Sequence, residues 1–139
     1  MIIVLDTNVV LDWLLFENAS MARWQSGLAE DRWRWIACAG MRGEFEHVLG
    51  RGLAAQRGRE LPSLLAQWDR WVKTVPDASV PPAHRLHCTD PDDQCFIDLA
   101  QSAGARWLLT RDRALLKLAR RARAHGIEVA TPERWLAAQ

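Results

Sequence analysis

Short apolar runs alternate along the chain with longer segments whose apolar residues recur at helical spacing. Residues 2–5 are apolar without a break and rich in β-branched side chains, which predicts a strand buried on both faces. Residues 33–37 predict a second strand, with Trp33, Trp35 and Ala37 on one face because side chains alternate along a strand. Three further short strands are predicted over residues 85–88, 106–110 and 128–130.

The segments between these strands carry the patterns of helices. The clearest apolar stripe consists of Leu64, Leu65, Trp68, Trp71 and Val72. Thr131 followed by Pro132 predicts the start of a last helix, since a hydroxyl caps a helix and proline fits its first position. Helices are predicted over residues 9–16, 20–28 (capped by Ser20), 41–52, 61–72, 92–102 and 112–125, and from residue 132 onward.

This alternation predicts an α/β fold: a three-layer α/β/α sandwich around a central, mainly parallel sheet of about five strands. A length of 139 residues is that of one domain. The loop at residues 76–82 is too short and too embedded to link two domains. We therefore expect residues 1–139 to form a single domain.

Composition narrows the class of protein. The chain is 49% hydrophobic and 25% charged, which is typical of a globular protein and not of a disordered one. Its three cysteines include no CxxC pair and do not indicate a disulfide framework. No apolar run approaches the roughly 20 residues of a membrane span, and the acid at position 6 interrupts any signal-peptide pattern. We expect a cytoplasmic protein without a membrane segment.

Basic and acidic residues are nearly equal in number, but they are distributed unevenly along the chain. The 18 basic and 17 acidic residues give a formal net charge of +1, which excludes a histone-like protein that binds nucleic acid by bulk charge. Residues 1–99 hold 10 basic and 14 acidic side chains, whereas residues 100–139 hold 8 and 3. The acidic part is therefore suited to a metal ion, and the basic C-terminal part is available for phosphate.

Acidic residues follow three of the predicted strands. Asp6 comes directly after the first strand, Asp112 follows the fourth, and Asp90, Asp92 and Asp93 follow the third. The carboxyl ends of parallel strands are where active sites lie in such sheets. Carboxylates held close together repel unless a cation neutralises them, and Mg²⁺ or Mn²⁺ prefers oxygen ligands. Asp90, Asp92 and Asp112 could alternatively each serve only as a helix cap, but the three sites together favour a metal site.

Arginine is the candidate for substrate contact. Arg111 and Arg113 flank Asp112, and a guanidinium grips phosphate with two parallel hydrogen bonds. The alternative is that the basic segment 111–123 is only a solvated helix face. A zinc site is disfavoured, because His84, His87 and Cys88 lack a second ligand cluster. The eight tryptophans are interpreted mainly as packing residues.

Four ordered motifs resemble the PIN domain family over nearly the whole chain, and most of all its VapC-type toxins. These are LDTNV at the N-terminus, Glu44 within GEFEHVL, then DPDDQCFIDLA and WLLTRD. The resemblance implies a metal-binding and catalytic set of Asp6, Glu44, Asp93 and Asp112. It also implies supporting roles for Asn8, Thr110 and Asp92. Glu46 is a rival of Glu44, and Asp92 a rival of Asp93.

The same resemblance implies a function. It is that of a Mg²⁺- or Mn²⁺-dependent ribonuclease, the toxin of a type II toxin–antitoxin pair, with a small antitoxin protein as partner and dimerisation as a family trait. Three alternatives keep the fold: an RNA-processing nuclease without an antitoxin, a DNA nuclease, or a non-enzymatic nucleic-acid-binding domain. The complete acid set argues against the last.

Overall fold

The computed structural model describes residues 1–139, arranged around a sheet of five strands. All neighbouring strands pair in parallel, in the order β3-β2-β1-β4-β5. The predicted α/β fold with a central parallel sheet is therefore confirmed. The strands are β1 Ile2–Leu5, β2 Arg34–Ala37, β3 Lys73–Thr74, β4 Trp107–Leu109 and β5 Glu128–Ala130.

Helices occupy most of the remaining chain. None of them combines the length and the hydropathy that crossing a membrane requires. The last begins at Pro132 behind the Thr131 cap, as predicted. The helices are α1 Thr7–Leu14, α2 Trp24–Ala29, α3 Ala39–Val48, α4 Ala54–Gln56, α5 Leu61–Trp71, α6 Gln94–Ala103, α7 Arg113–Leu116, α8 Ala119–Arg123 and α9 Pro132–Ala137.

The predicted third strand at residues 85–88 is wrong, because β3 lies earlier, directly after α5. Side chains of α6 satisfy the backbone of residues 84–88 in place of a neighbouring strand. Gln94 accepts from the Cys88 N–H (2.7 Å) and donates to the Leu86 carbonyl (2.7 Å). Gln101 accepts from the Leu86 N–H (2.8 Å) and donates to the His84 carbonyl (2.8 Å). This segment is therefore fastened to α6 as an extended loop.

Three helices also differ from their predicted extents. Asn18, and not Ser20, caps the short turn Ala19–Met21 that precedes α2. The helix predicted over 41–52 leaves regular geometry after Val48, and Gly52 adopts a left-handed φ of 99°, which glycine tolerates best. The helix predicted over 112–125 is divided between α7 and α8.

The tryptophans form much of the core. Six of the eight pack edge-to-face or stacked against one another in a single network, and all six are buried. Their interpretation as packing residues is confirmed. The members are Trp13, Trp24, Trp33, Trp35, Trp68 and Trp135.

The strand order sets the position of a crevice. The chain runs from β1 outward to β2 and β3, then crosses to β4 and β5 on the other side of β1. The connections after β1 and β4 therefore diverge to opposite faces of the sheet. In open α/β sheets, ligands bind in the crevice at such a switch point, outside the carboxyl ends of the strands. Asp6 and Thr110 are the residues that emerge there.

Candidate metal centre

Asp6 is the most deeply placed acid of the site. It caps α1 directly after β1, and only 3% of its surface is exposed. The Thr110 hydroxyl donates to its Oδ2 (2.7 Å), and the Asn8 N–H donates to its Oδ1 (3.4 Å). Burial raises the pKa of Asp6, and the charges of Asp112 and Glu44 act in the same direction. Asn8 thus supports Asp6 through its backbone.

Thr110 ties β1 to the acid that follows β4. While its hydroxyl donates to Asp6, the same oxygen accepts a 2.9 Å hydrogen bond from the Asp112 N–H. Asp112 in turn caps α7 by accepting from the Ala114 N–H (2.7 Å). Asp112 therefore caps a helix and also faces the other acids, so its capping role does not exclude it from a metal site.

Glu44 enters the site from α3. Its Oε2 accepts a 2.8 Å hydrogen bond from the hydroxyl of Thr7, the residue after Asp6. Its rival Glu46 lies 3.8 Å from the Arg42 guanidinium, on the same helix. Glu44 is thus the acid directed toward Asp6. Sequence reasoning missed Thr7, although a hydroxyl beside a strand-end acid was a usable signal.

Asp93 lies in an environment that is unfavourable for a charged carboxylate. Its Oδ2 is buried and has no hydrogen-bond partner. Burial, a hydrogen bond shared with Asp112 and the charge of Asp6 raise the pKa of Asp93 to about 7. Asp90, Asp93 and Asp112 each offer a carboxylate oxygen, and the three oxygens lie within 4.8 Å of one another. The neighbouring Asp92 is exposed, and its N–H donates to Asp90 (3.0 Å).

Asp90 joins this group, although it is absent from the metal-binding set that the family resemblance implies. It accepts from the Asp92 N–H at the turn Pro91–Asp93 and also presents an oxygen to Asp93 and Asp112. Asp6 and Glu44 are not members of the 4.8 Å group, but their charges act on its surroundings. The acids therefore form a compact trio with two more carboxylates beside it.

The donor set fits a hard divalent cation. Every candidate ligand is a carboxylate oxygen, the donor type that Mg²⁺ and Mn²⁺ prefer. An unpartnered buried carboxylate oxygen is costly, and Asp93 holds one next to other acids. A cation among these groups would remove both the missing contact and the mutual repulsion.

A cavity of about 370 Å³ opens beside these acids. Glu44 and Asp92 lie on its wall together with apolar side chains, so a ligand in it would touch the edge of the site. The lining residues are Cys38, Gly40, Met41, Glu44, Asp77, Ala78, Asp92, Cys95 and Asp98.

The two arginines beside Asp112 have different surroundings. The Arg111 guanidinium donates to Asp12 (2.6 Å), to both carboxylate oxygens of Glu133 (2.7 and 2.8 Å) and to the Ser20 hydroxyl (3.3 Å). Its nitrogens are thus occupied within the protein, unlike the substrate contact that the sequence predicts. Arg113 is exposed and has no carboxylate within ion-pair distance.

Comparison with known proteins agrees with this architecture. The family model described as "PIN domain" matches residues 2–114. A chain in the crystal structure of VapBC2 from Rickettsia felis, bound to a DNA fragment from the promoter, has a similar fold. It aligns with a TM-score of 0.63 at 14% identity over 93% of this chain and 97% of that chain. No curated protein sequence matches.

Proposed function

This chain belongs to the PIN domain family, and we propose that it is a divalent-metal-dependent ribonuclease that hydrolyses RNA phosphodiester bonds. We further propose that it acts as the toxin of a type II toxin–antitoxin pair. The observation that carries the nuclease proposal is the orphaned Oδ2 of Asp93 among neighbouring carboxylates. A structural cap or ion pair would not leave a buried acid oxygen without a partner. A site that receives a cation would.

We assign metal binding to Asp6, Glu44, Asp93 and Asp112, with Asp90 as an added ligand. A bound Mg²⁺ or Mn²⁺ would make water a stronger nucleophile near neutral pH and offset the charge of the phosphate. Thr110 and Thr7 orient Asp6 and Glu44 through their hydroxyl groups. Such outer partners fix the direction of a ligand oxygen and suppress its alternative rotamers.

Substrate contact falls to Arg113 in this proposal. Its side chain follows Asp112 in the chain and is free of carboxylate partners, so it is available to a phosphate beside the acids. Arg111 acts as a positioning residue, because it clamps the start of the β4–α7 connection to Asp12 and Glu133. Those contacts join the connection between β4 and α7 to α1 and α9.

The nuclease proposal is tested with purified protein, Mn²⁺ or Mg²⁺ and labelled single-stranded RNA. Asp6→Asn and Asp93→Asn should abolish cleavage while circular dichroism shows the fold intact. Glu46→Gln is the matched control for Glu44→Gln: the first should cleave normally and the second should not. Full cleavage by the Asp6 and Asp93 variants would sink the metal assignment. Cleavage of DNA in preference to RNA would favour the DNA-nuclease alternative.

The antitoxin proposal rests on the resemblance to VapC-type toxins and on the shared fold with a chain of a VapBC2 complex. We expect a small reading frame directly upstream to encode the partner. Expression of this chain alone should arrest growth, and co-expression of that partner should restore it. Growth unaffected by the active chain would instead favour an RNA-processing enzyme without an antitoxin.

Homodimerisation is a further part of the proposal. It is measured by light scattering on the purified chain, alone and together with the upstream partner. A 15.8 kDa species alone would contradict it.

A further inference from the structure

Four cations form an exposed ridge that starts at the acidic site. Arg113 opens α7, Lys117 follows it by four residues, and Arg120 and Arg121 lie on α8. The opposite face of the same segment is buried through Leu115, Leu118 and Ala122. The backbone at Lys117 stays in the right-handed helical region, so the segment keeps its direction across the break. We call Arg113, Lys117, Arg120 and Arg121 the basic ridge.

The charges of the basic ridge are uncompensated within the protein. None of its four side chains forms an ion pair. Residues 100–139 contain only three carboxylates, and all of them are engaged elsewhere: Asp112 in the acidic site, Glu128 with Arg123 and Glu133 with Arg111. The four side chains of the ridge are therefore free to contact an anion from outside the chain.

Helix stability does not account for this pattern. Like charges four residues apart destabilise a helix, and the pairs Arg113–Lys117 and Lys117–Arg121 have this spacing. Arg113 also stands at a helix N-terminus, where the helix dipole disfavours a cation. A solvated stabilising face would interleave acids with these bases. The ridge instead carries a repulsion that an anionic ligand would relieve.

We infer that the basic ridge binds the phosphate backbone of the single-stranded RNA on one side of the cleaved bond. This inference rests on the proposed ribonuclease function and extends the substrate site beyond Arg113. A phosphate held at the acids would leave the adjoining strand next to Arg113, because Arg113 follows Asp112 directly. The strand then runs along the helix toward Arg121.

The length of the ridge sets the length of the bound strand. From Arg113 to Arg121 the helical rise is about 12 Å, at about 1.5 Å per residue. Successive phosphates of one strand rise about 3.4 Å along the helix axis but lie farther apart along the backbone itself, so a ridge of about 12 Å spans about three phosphates. The ridge carries no aromatic side chain, so it lacks the aromatic platform on which single-stranded-nucleic-acid proteins stack successive bases. Its binding is therefore sequence-tolerant and strongly salt-dependent.

The test compares two variants of the full chain with equal loss of charge. The ridge variant carries Arg113→Gln, Lys117→Gln, Arg120→Gln and Arg121→Gln. The control variant also removes three arginines and one lysine that are exposed and lack ion pairs, through Arg23→Gln, Arg34→Gln, Arg70→Gln and Lys73→Gln. Binding of a fluorescein-labelled 12-nucleotide single-stranded RNA is followed by anisotropy at several KCl concentrations, with EDTA present to prevent cleavage.

The expected result is a shallower salt dependence for the ridge variant only. Each lost contact removes about 0.7 from the slope of log K against log salt, so three contacts remove about 2. Over the decade from 1 M to 0.1 M salt, that corresponds to roughly 100-fold weaker binding at 0.1 M. The control variant should stay within about threefold of the unmodified chain, as expected for screened, distant charges. Equal losses in the two variants would overturn the inference.

Two further measurements keep the outcomes separate. If the ridge variant unfolds, Lys117→Gln alone still predicts a slope smaller by about 0.7, and an unchanged slope overturns the inference. The unmodified chain is also assayed for cleavage with Mn²⁺. If the unmodified chain cleaves RNA but the ridge variant keeps the same salt slope, the proposed RNA-binding role of the ridge is wrong and the ribonuclease proposal stands. If the unmodified chain does not cleave RNA but the ridge variant shows the expected change in slope, the proposed ribonuclease function is wrong and the RNA-binding surface stands.

Discussion

The hydroxyl of Thr110 donates a 2.7 Å hydrogen bond to Oδ2 of Asp6, although 104 residues separate the two. The same oxygen accepts from the Asp112 N–H. The Thr110 side chain thus fixes the position of Asp6, which follows β1, relative to Asp112, which follows β4. Since β1 and β4 are adjacent in the sheet, this bond joins the two sides of the switch-point crevice at its base.

Thr110→Val should therefore weaken the metal site without removing a ligand. The variant keeps the shape of the side chain but leaves Asp6 without its hydroxyl donor. Loss of such an outer partner typically lowers metal affinity or activity 10- to 100-fold, and we expect an effect in that range. Mn²⁺ titration by calorimetry and RNA cleavage measure it. Thr110→Ser restores the hydroxyl and should behave like the unmodified chain; equal defects in both variants would contradict the role.

A divalent ion should stabilise the protein through Asp93. A ligand that binds only the folded state adds about 2.7 kcal/mol at 100 times its Kd, so Mn²⁺ should raise the melting temperature. Asp93→Asn should abolish this rise and also melt higher than the unmodified chain in EDTA, because a buried charge among acids is gone. Thermal unfolding with and without Mn²⁺ checks both. Asp92→Asn, at the exposed neighbour, should keep most of the shift.

Arg111 and Arg113 should separate stability from substrate binding. Arg111→Gln removes the ion pairs with Asp12 and Glu133 and should lower the free energy of unfolding by about 1 kcal/mol, with RNA affinity little changed. Arg113→Gln should lower RNA affinity and leave the free energy of unfolding little changed, since the Arg113 side chain has no ion-pair partner in the protein. Urea unfolding and RNA anisotropy give the two readouts. Loss of affinity in Arg111→Gln at unchanged stability would restore it as a substrate contact.

Gly27 lies against the tryptophan network, where a methyl group does not fit. A Cβ at this position would meet the Trp33 ring at about 1.9 Å, and that ring is held by a 3.0 Å hydrogen bond to the Trp24 carbonyl. Gly27→Ala should lower the free energy of unfolding by about 1–3 kcal/mol through overpacking. Gly43→Ala, in α3 with open space around it, should instead stabilise by about 0.5–1 kcal/mol. Chemical denaturation compares them.

Asp98 should contribute stability that disappears in acid. Its carboxylate, on α6, accepts hydrogen bonds from Arg85 (3.0 and 2.9 Å) and from Gln94 (2.9 Å). Burial acts to raise the pKa of Asp98, but these hydrogen bonds outweigh it and hold the pKa below the ordinary 3.8. Because the folded-state pKa is depressed, the contribution is complete above pH 3.8 and is lost as pH falls through the folded value.

The matched comparison for this pair is the difference in unfolding free energy between the unmodified chain and Asp98→Asn. That difference should be constant between pH 5 and 7 and should shrink below about pH 4. Urea unfolding across this range measures it. A difference that grows toward low pH would contradict the depressed pKa.

Features that depend on neighbouring residues were predictable from the sequence. The apolar run Ile2–Leu5 predicts a buried strand, and Asp6 after it predicts a charge at the end of the sheet. Thr131 and Pro132 predict the start of α9 in the same way. Each of these signals is written within a few residues, because strand burial and helix capping are local.

Choices between equivalent neighbours needed the folded chain. Glu44 faces the site and Glu46 does not, because Thr7, 37 residues away in the sequence, donates a hydrogen bond to Glu44. Arg111 is held within the protein and Arg113 is not, because Arg111 forms an ion pair with Asp12, which is 99 residues away in the sequence. The third strand was misplaced for the same reason, since side chains of α6 take the backbone bonds of residues 84–88.

The sequence by itself thus determined the class of the fold, the strand ends and the supply of acids at them. Only the tertiary structure decided which acids converge, which arginine is committed to an ion pair and which cations are left without partners. The physical reason is that hydrogen bonds and ion pairs depend on distances of about 3 Å between groups far apart in the chain. Those distances follow from the pairing of strands such as β1 with β4 and from the positions of the helices around the sheet, which no local pattern specifies.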